Sequence, residues 1–230
     1  MRSVINRPTA RCDTCQLPLR WCLCFAHQAI HTPLQLDLLT HPREKFRPTS
    51  SGNLIHRLFS NSRQHLWTAP NLPARESVCD PGREVWILHP NGTAPPKTAD
   101  PGAIQLLLLD GSWSESAGMS RTVSTWGRRV SLPLTGDSRY WLRAKQDGER
   151  FSTAEALLFM LQMLGLDTAF QQLNAQFELH VYASLRARGN VQQAQEFLQN
   201  SPLPALMPEL LEQLQARRSR DTELAQLQGK

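Results

Sequence analysis

The sequence predicts an α/β protein with a mostly parallel sheet, an N-terminal four-cysteine knuckle and a C-terminal helical block. Three observations carry this. Between residues 33 and 134, short apolar runs of strand length alternate with helical patterns. From Ser152 onward the apolar spacing is helical almost to the end of the chain. Four of the five cysteines fall within "CDTCQLPLRWCLC".

The elements follow in order. Residues 1–32 show little periodicity beyond their cysteines. "PLQLDLLTHP" (33–42) reads as a strand that stops at a polar, proline-bearing turn. In "SSGNLIHRLFSN" (50–61), Leu54, Ile55, Leu58 and Phe59 recur at helical spacing behind serines and a glycine. Residues 68–83 are rich in proline and charge and read as loop. "EVWILHPNG" (84–92) is a second strand, followed by loop over 91–102. "AIQLLLLD" is the third strand, its leucine run marking burial on both faces. "SWSESAGMSR" opens a helix, and "RRVSLPL" (128–134) is a fourth strand ended by Pro133. Helices then dominate, broken at "SPLPALMP" (201–208), and the polar tail "RRSRDTELAQLQGK" reads as a last helix. The expected division is a knuckle over 1–32, a catalytic domain over 33–200 and a helical extension over 201–230.

A chain of 230 residues can bury one sizeable core. No apolar run has the length of a membrane span, and the N-terminus lacks an apolar signal segment, so a cytoplasmic protein without a membrane partner is expected. Neither a G-x-G-x-x-G nor a P-loop pattern occurs, which argues against those nucleotide sites. Net charge is +5, but residues 1–75 hold ten Lys/Arg against Asp13, Asp37 and Glu44. An arginine-dominated basic third suits phosphate contacts and points to nucleic acid.

Cys12, Cys15, Cys22 and Cys24 have the spacing C-x2-C-x6-C-x-C. In a reducing compartment disulfides are disfavoured. Four thiolates can close a tetrahedral zinc site of structural type, and free or redox-active thiols are the alternative. Trp21, with Arg20 beside it and Arg11 nearby, gives the knuckle an expected RNA-facing surface. Cys79 stands alone.

The third strand ends in Asp110-Gly111-Ser112-Trp113. These residues make a plain turn with a helix cap. They also stand where ligands bind in open α/β sheets, outside the carboxyl ends of strands. "STAE" (152–155) has capping-box spacing.

The knuckle, "THPREKFRPTSSGNLIHRLF", "ILHP", "LLLLDGSW", "SLPL" and "RYWLRAKQDGERFSTAEAL" occur in this order over about residues 12–160. Together they resemble the DTW-domain family of tRNA-uridine aminocarboxypropyltransferases. Ser112 stands for the threonine of the name motif, and "SSG" (50–52) for the usual Asn-Thr-Gly. The resemblance implies a fold similar to the knotted SPOUT methyltransferases, with S-adenosylmethionine in a cleft at the strand ends. It implies transfer of that co-substrate's 3-amino-3-carboxypropyl group to N3 of a tRNA uridine, typically in the variable loop, leaving methylthioadenosine. No protein partner is implied.

On these residues, Asp110 is the expected general base for N3–H, with a turn or substrate-orienting role as the alternative. Trp113 is expected to stack on a base or cover the sulfonium. Leu88, His89, Pro90, Leu132 and Pro133 are expected to wall the cofactor cleft. Gly111, Ser112, Ser152 and Thr153 open helices whose N–H groups suit its carboxylate, and Glu155 its α-amino group. Arg43, Lys45, Arg47 and Arg57 are expected to bind RNA, and Arg139, Tyr140 and Arg143 to reach tRNA phosphate or the cofactor carboxylate. A SPOUT-type RNA methyltransferase and a non-catalytic zinc-knuckle RNA adaptor are the competing readings.

Overall fold

The structure is a computed structural model and describes residues 9–68, 70–96, 98–143 and 151–216. In chain order the elements are β1 (Gln35–Thr40), α1 (Pro42–Lys45), α2 (Ser51–Leu58), β2 (Ser62–Leu66) and α3 (Arg75–Val78). Then come β3 (Glu84–Thr93), β4 (Ile104–Asp110), α4 (Trp113–Thr122) and β5 (Arg128–Val130). The helical block is α5 (Thr153–Met163), α6 (Asp167–Ala187), α7 (Val191–Gln199), α8 (Leu203–Leu206) and α9 (Pro208–Ala216).

The five strands form one sheet in the order β2-β1-β4-β3-β5, and every neighbouring pair is parallel. Alternate residues face opposite sides of a strand. Leu36 and Leu38 of β1, with Leu106 and Leu108 of β4, enter a large core beneath α2, α5 and α6. Leu39 and Leu107 face the other way, onto Met119 and Val123 of and just after α4. Burial on both faces accounts for the leucine run of β4.

Strands β1 and β4 lie side by side at the centre, with Thr40 in register with Asp110. From β1 the chain moves through α2 to β2 at one edge, and from β4 it moves through α4 to β5 at the other. The order reverses between these two strands, so a crevice opens at their carboxyl ends. That crevice holds the site.

The cysteine segment adds Cys15, Leu17, Trp21, Cys22 and Leu23 to the main core. The expected RNA-facing role of Trp21 is corrected by its position. Its ring is 5% exposed and meets Tyr182 edge-on. Arg20 and Arg186 cover it at 5.0 and 4.8 Å from its centroid.

The sequence pattern does not predict strand β2. Its sequence, Ser62–Leu66, is polar because it is a half-exposed edge strand. It is secured by charge: Arg63 donates to Asp37 at 2.8 and 2.9 Å, and His65 Nε2 lies 2.7 Å from the same carboxylate. The proline-rich loop 68–83 contains α3, and β3 continues to Thr93 after an irregularity following Leu88. The expected fourth strand shortens to β5, and α8 occupies the expected helix break. The polar tail, and residues 144–150 within the motif "RYWLRAKQDGERFSTAEAL", lie outside the described residues. Among the described residues, no helix is long and apolar enough to cross a membrane.

Candidate functional site

Asp110 ends β4 where α2 and α5 begin. Ser50, the N-cap of α2, donates its hydroxyl to Asp110 Oδ2 at 3.0 Å. Thr153, the first residue of α5, donates to Oδ1 at 2.9 Å. The Gly52 N–H is a further donor. Two helix N-termini thus converge on one carboxylate, which is 4% exposed. Burial pushes the carboxyl up to about 6, while the donors from Thr153, Ser50 and Gly52 pull against it and Glu44 adds to the rise. A carboxyl in that range is suited to accept a proton near neutrality.

The segment before α2 is tied down on several sides. The Asn53 amide donates to the Glu44 and Lys45 carbonyls at 2.7 and 3.0 Å, joining α1 to α2. The Tyr140 hydroxyl donates to the Thr49 carbonyl, and burial pushes this phenol up to about 12. Arg188, the C-cap of α6, donates to the Leu142 carbonyl at 2.7 Å and to Thr49 Oγ1 at 3.4 Å. It therefore braces the segment after β5 against the segment before α2.

Between these segments lies a cleft of about 690 Å³. Its walls include Ser50 and Ser51, the run Asp110–Trp113, the run Tyr140–Arg143 and Thr153. Arg47 and Arg188 also line it, with Asn190 and Gln193 from the turn before α7 and its first turns. Arg47, Arg143 and Arg188 bring guanidiniums from three segments to the cleft, and among the described residues its lining carboxylates are those of Glu44 and Asp110. Arg47 pairs with Glu44, and Arg143 lies 5.3 Å from the Tyr140 ring centre.

The cleft gathers Asp110, Gly111, Ser112, Trp113, Thr153, Arg47 and Arg143 of the residues picked out from sequence. Trp113 is 48% exposed at its rim, which is not the position of a core tryptophan. Ser112 caps α4 in a capping box with Glu115, and Glu115 also meets His41 and Arg43 at 3.2 and 3.5 Å. Arg43 and Lys45 are exposed on α1, beside the cleft.

Other expected residues lie apart from this lining. Leu88, His89 and Pro90 of β3, and Leu132 and Pro133 after β5, adjoin one another on the same sheet edge, where Leu88 pairs with Val130. Ser152 caps α5 with Glu155, whose carboxylate also accepts from Ser138 Oγ at 2.9 Å and the Arg139 N–H at 2.7 Å. Those bonds fasten the turn after β5 to α5. Arg139 grips the buried Glu178 through two bonds of 2.8 and 2.6 Å and lies 3.9 Å from the Phe197 ring centre.

Sequence reasoning singles out "SSG" (50–52) only as a departure from the family motif and Tyr140 only as a contact to phosphate or the cofactor carboxylate, and it misses their bonds around Asp110 and Thr49 and the wall at Arg188, Asn190 and Gln193. Ser50 reads as a cap and is one, and its second bond to Asp110 spans sixty positions. The far wall follows a long helix and carries no local signal.

The four-cysteine segment makes a second centre. Gln16 has φ 61°, a left-handed turn between the two cysteine pairs, held by Gln16 N–H to the Cys12 carbonyl at 2.8 Å. The Sγ atoms of Cys12, Cys15, Cys22 and Cys24 all lie within 4.8 Å of one another. Cys12 and Cys24 sulfurs are 3.8 Å apart, and a tetrahedral ion with metal–sulfur bonds of about 2.3 Å requires about 3.8 Å. The donor set and spacing fit a structural zinc ion. Hydrogen bonds from its neighbours favour the Cys15 thiolate, while Cys15 pushes the Cys22 thiol up to about 12 and Cys24 upward as well.

Fold and site together define a parallel α/β protein with a carboxylate-bearing ligand cleft at the sheet's carboxyl edge and a four-cysteine centre at its side. The chain belongs to the DTW domain family, whose model matches residues 9–185. No solved structure matches it.

Proposed function

We propose that this protein transfers the 3-amino-3-carboxypropyl group of S-adenosylmethionine to N3 of a tRNA uridine, with the variable-loop uridine as acceptor and methylthioadenosine as second product. The observation that carries the reading is Asp110 in a DTW domain: a buried carboxyl near neutral pKa, at the end of the central strand, lining a cleft. The volume suits a small ligand, for which sites of several hundred Å³ are usual.

The uridine N3–H is a weak acid and must lose its proton as N3 attacks. N3 bonds to the γ-carbon of the aminocarboxypropyl arm, the bond from that carbon to sulfur breaks, and its electron pair stays on sulfur as a neutral thioether. The N3 proton passes to Asp110. Three alkyl carbons adjoin the sulfonium, and alignment with N3 decides which one reacts. Ser50 and Thr153 fix the carboxylate that sets this alignment. Trp113 offers an indole face to the uracil or the sulfonium. Gly111, Ser112 and Thr153, which line the cleft, and the adjoining Ser152 are assigned to the co-substrate's amino-acid end, and Leu88, His89, Pro90, Leu132 and Pro133, which lie apart from that lining, to its adenosine. Arg43, Lys45, Arg47 and Arg143 are the proposed phosphate contacts.

The finer fold reading, a SPOUT-like knot, belongs to this proposal and is supported by the all-parallel sheet with its cleft at the carboxyl edge. So does the division into a knuckle over 1–32, a catalytic domain over 33–200 and an extension over 201–230. The test is a mass spectrum of nucleosides from tRNA incubated with the protein and S-adenosylmethionine. A uridine heavier by one aminocarboxypropyl group is expected. A methyl increment, or unmodified tRNA, overturns the proposal.

A further inference from the structure

Phe46 is the most exposed large apolar side chain among the described residues, at 68%. It is the C-cap of α1, and residues on either side of it, Glu44 and Arg47, line the cleft. A single exposed apolar side chain is ordinary on a soluble protein. The surroundings, the anchoring and the place of this ring are not.

Cations surround it. Arg43, Lys45 and Arg47 are all exposed, and Lys45 Nζ lies 5.3 Å from the Phe46 ring centre. Glu44, the acid in this run, is buried and paired with Arg47. Arg57, the other cation of this region expected on RNA, lies on α2 apart from the cleft lining, with its Nε buried. The backbone under the ring is tied on three sides. Asn53 of α2 holds the Glu44 and Lys45 carbonyls, and the Arg47 N–H donates to the Glu44 carbonyl at 3.0 Å. Glu115 of α4 meets His41 and Arg43, and the His41 N–H donates to the Asp110 carbonyl at 2.9 Å. The segment is therefore ordered before any partner arrives, which lowers the cost of binding. That last bond also fixes the place: the ring stands five residues from the group bonded to Asp110. Trp113, the other exposed ring at this edge, follows Asp110 on the neighbouring strand.

A cationic rim suits a polyanion, and a flat apolar ring suits a partner with flat apolar faces. Single-stranded nucleic acid has both, and stacking requires a base that is not paired within a helix. We propose that Phe46 stacks on an unpaired base next to the uridine that is modified, while Arg43, Lys45 and Arg47 hold the phosphates beside it. The inference rests on the tRNA reading of the cleft. Phe46 orients the strand and takes no part at the reacting atoms.

The test uses full-length protein and tRNA, and the dissociation constant is read by filter binding. Two further tRNAs each lack the base of one nucleotide flanking the acceptor uridine. Phe46→Ala should weaken binding to intact tRNA by roughly 5- to 150-fold, the scale of one lost base–aromatic stack. Phe46→Trp should stay near the wild type, and Phe46→Leu should lose most of what Phe46→Ala loses. The salt slope of Phe46→Ala should match the wild type, because no phosphate contact is removed. One of the two abasic tRNAs should bind the wild type more weakly and show no further loss with Phe46→Ala. Wild-type protein that leaves tRNA unmodified overturns this inference together with the reading it rests on. Modification by the wild type with equal tRNA binding by Phe46→Ala overturns the Phe46 role alone. So does a Phe46→Ala loss that both abasic tRNAs show in full, or one that Phe46→Leu restores as well as Phe46→Trp.

Discussion

Gly52 and Asp110 touch so closely that a β-carbon at Gly52 would stand 2.3 Å from Asp110 Cγ and 2.4 Å from Oδ2. Space, and not a left-handed backbone, requires the glycine. An alanine inside a helix ordinarily gains up to about 1 kcal/mol over glycine. Gly52→Ala should invert that sign and destabilise the fold by about 1–3 kcal/mol, the usual scale of overpacking. Denaturant titration reads the difference. An unchanged or raised midpoint would mean that the carboxylate moves aside freely.

The Asp110 carboxyl, raised by burial to about 6, gives a defined pH dependence. Its folded value exceeds its unfolded one, so its contribution to stability is present at low pH and is lost as pH rises through about 6. Turnover should show the opposite trend, rising through the same range as the base ionises. Thr153→Val removes a donor to the ionised form and should move that limb upward by roughly one unit. A limb that stays in place would assign the titration to another group.

Much of this is legible in the sequence, for identifiable reasons. The leucine run of β4 is long and apolar because both its faces are buried, and the four cysteines lie close together along the chain. The capping box at Ser152 and Glu155 is local, and it forms as its spacing predicts. Strand β2 escapes because an edge strand held by Arg63 and His65 on Asp37 has no apolar alternation to read. In the site, Asp110 and Trp113 are accessible because they follow directly on a recognisable strand. Ser50, Tyr140 and Arg188 act through residues dozens of positions away, and no local pattern encodes those pairings.

The zinc reading of the four-cysteine cluster predicts composition as well as stability. One zinc per chain should copurify with the protein, and Cys→Ser at Cys12, Cys15, Cys22 or Cys24 should reduce it. The knuckle shares the main core through Cys15, Leu17, Trp21, Cys22 and Leu23, so loss of metal should also lower the unfolding temperature. Metal-free protein with wild-type melting and full tRNA activity would refute a structural role.

Arg43, Lys45 and Arg47 line one exposed stretch beside the cleft. If they bind phosphates, neutralising them should weaken binding to all tRNAs alike and reduce the salt slope by about one for each phosphate no longer neutralised. Equal slopes for the triple variant and the wild type would place the RNA elsewhere.

The central claim is that Asp110 takes the N3 proton. Asp110→Asn keeps the shape and can still hydrogen-bond to Ser50 and Thr153, but it is no base. The most direct measurement is the single-turnover rate of aminocarboxypropyl transfer to tRNA by this variant, with S-adenosylmethionine binding measured in parallel. Binding should persist, while transfer falls by a factor on the order of 100 or more, the scale of a lost general base. Near-normal transfer by the folded, cofactor-binding variant would contradict the claim and leave Asp110 as the residue that joins two helix N-termini.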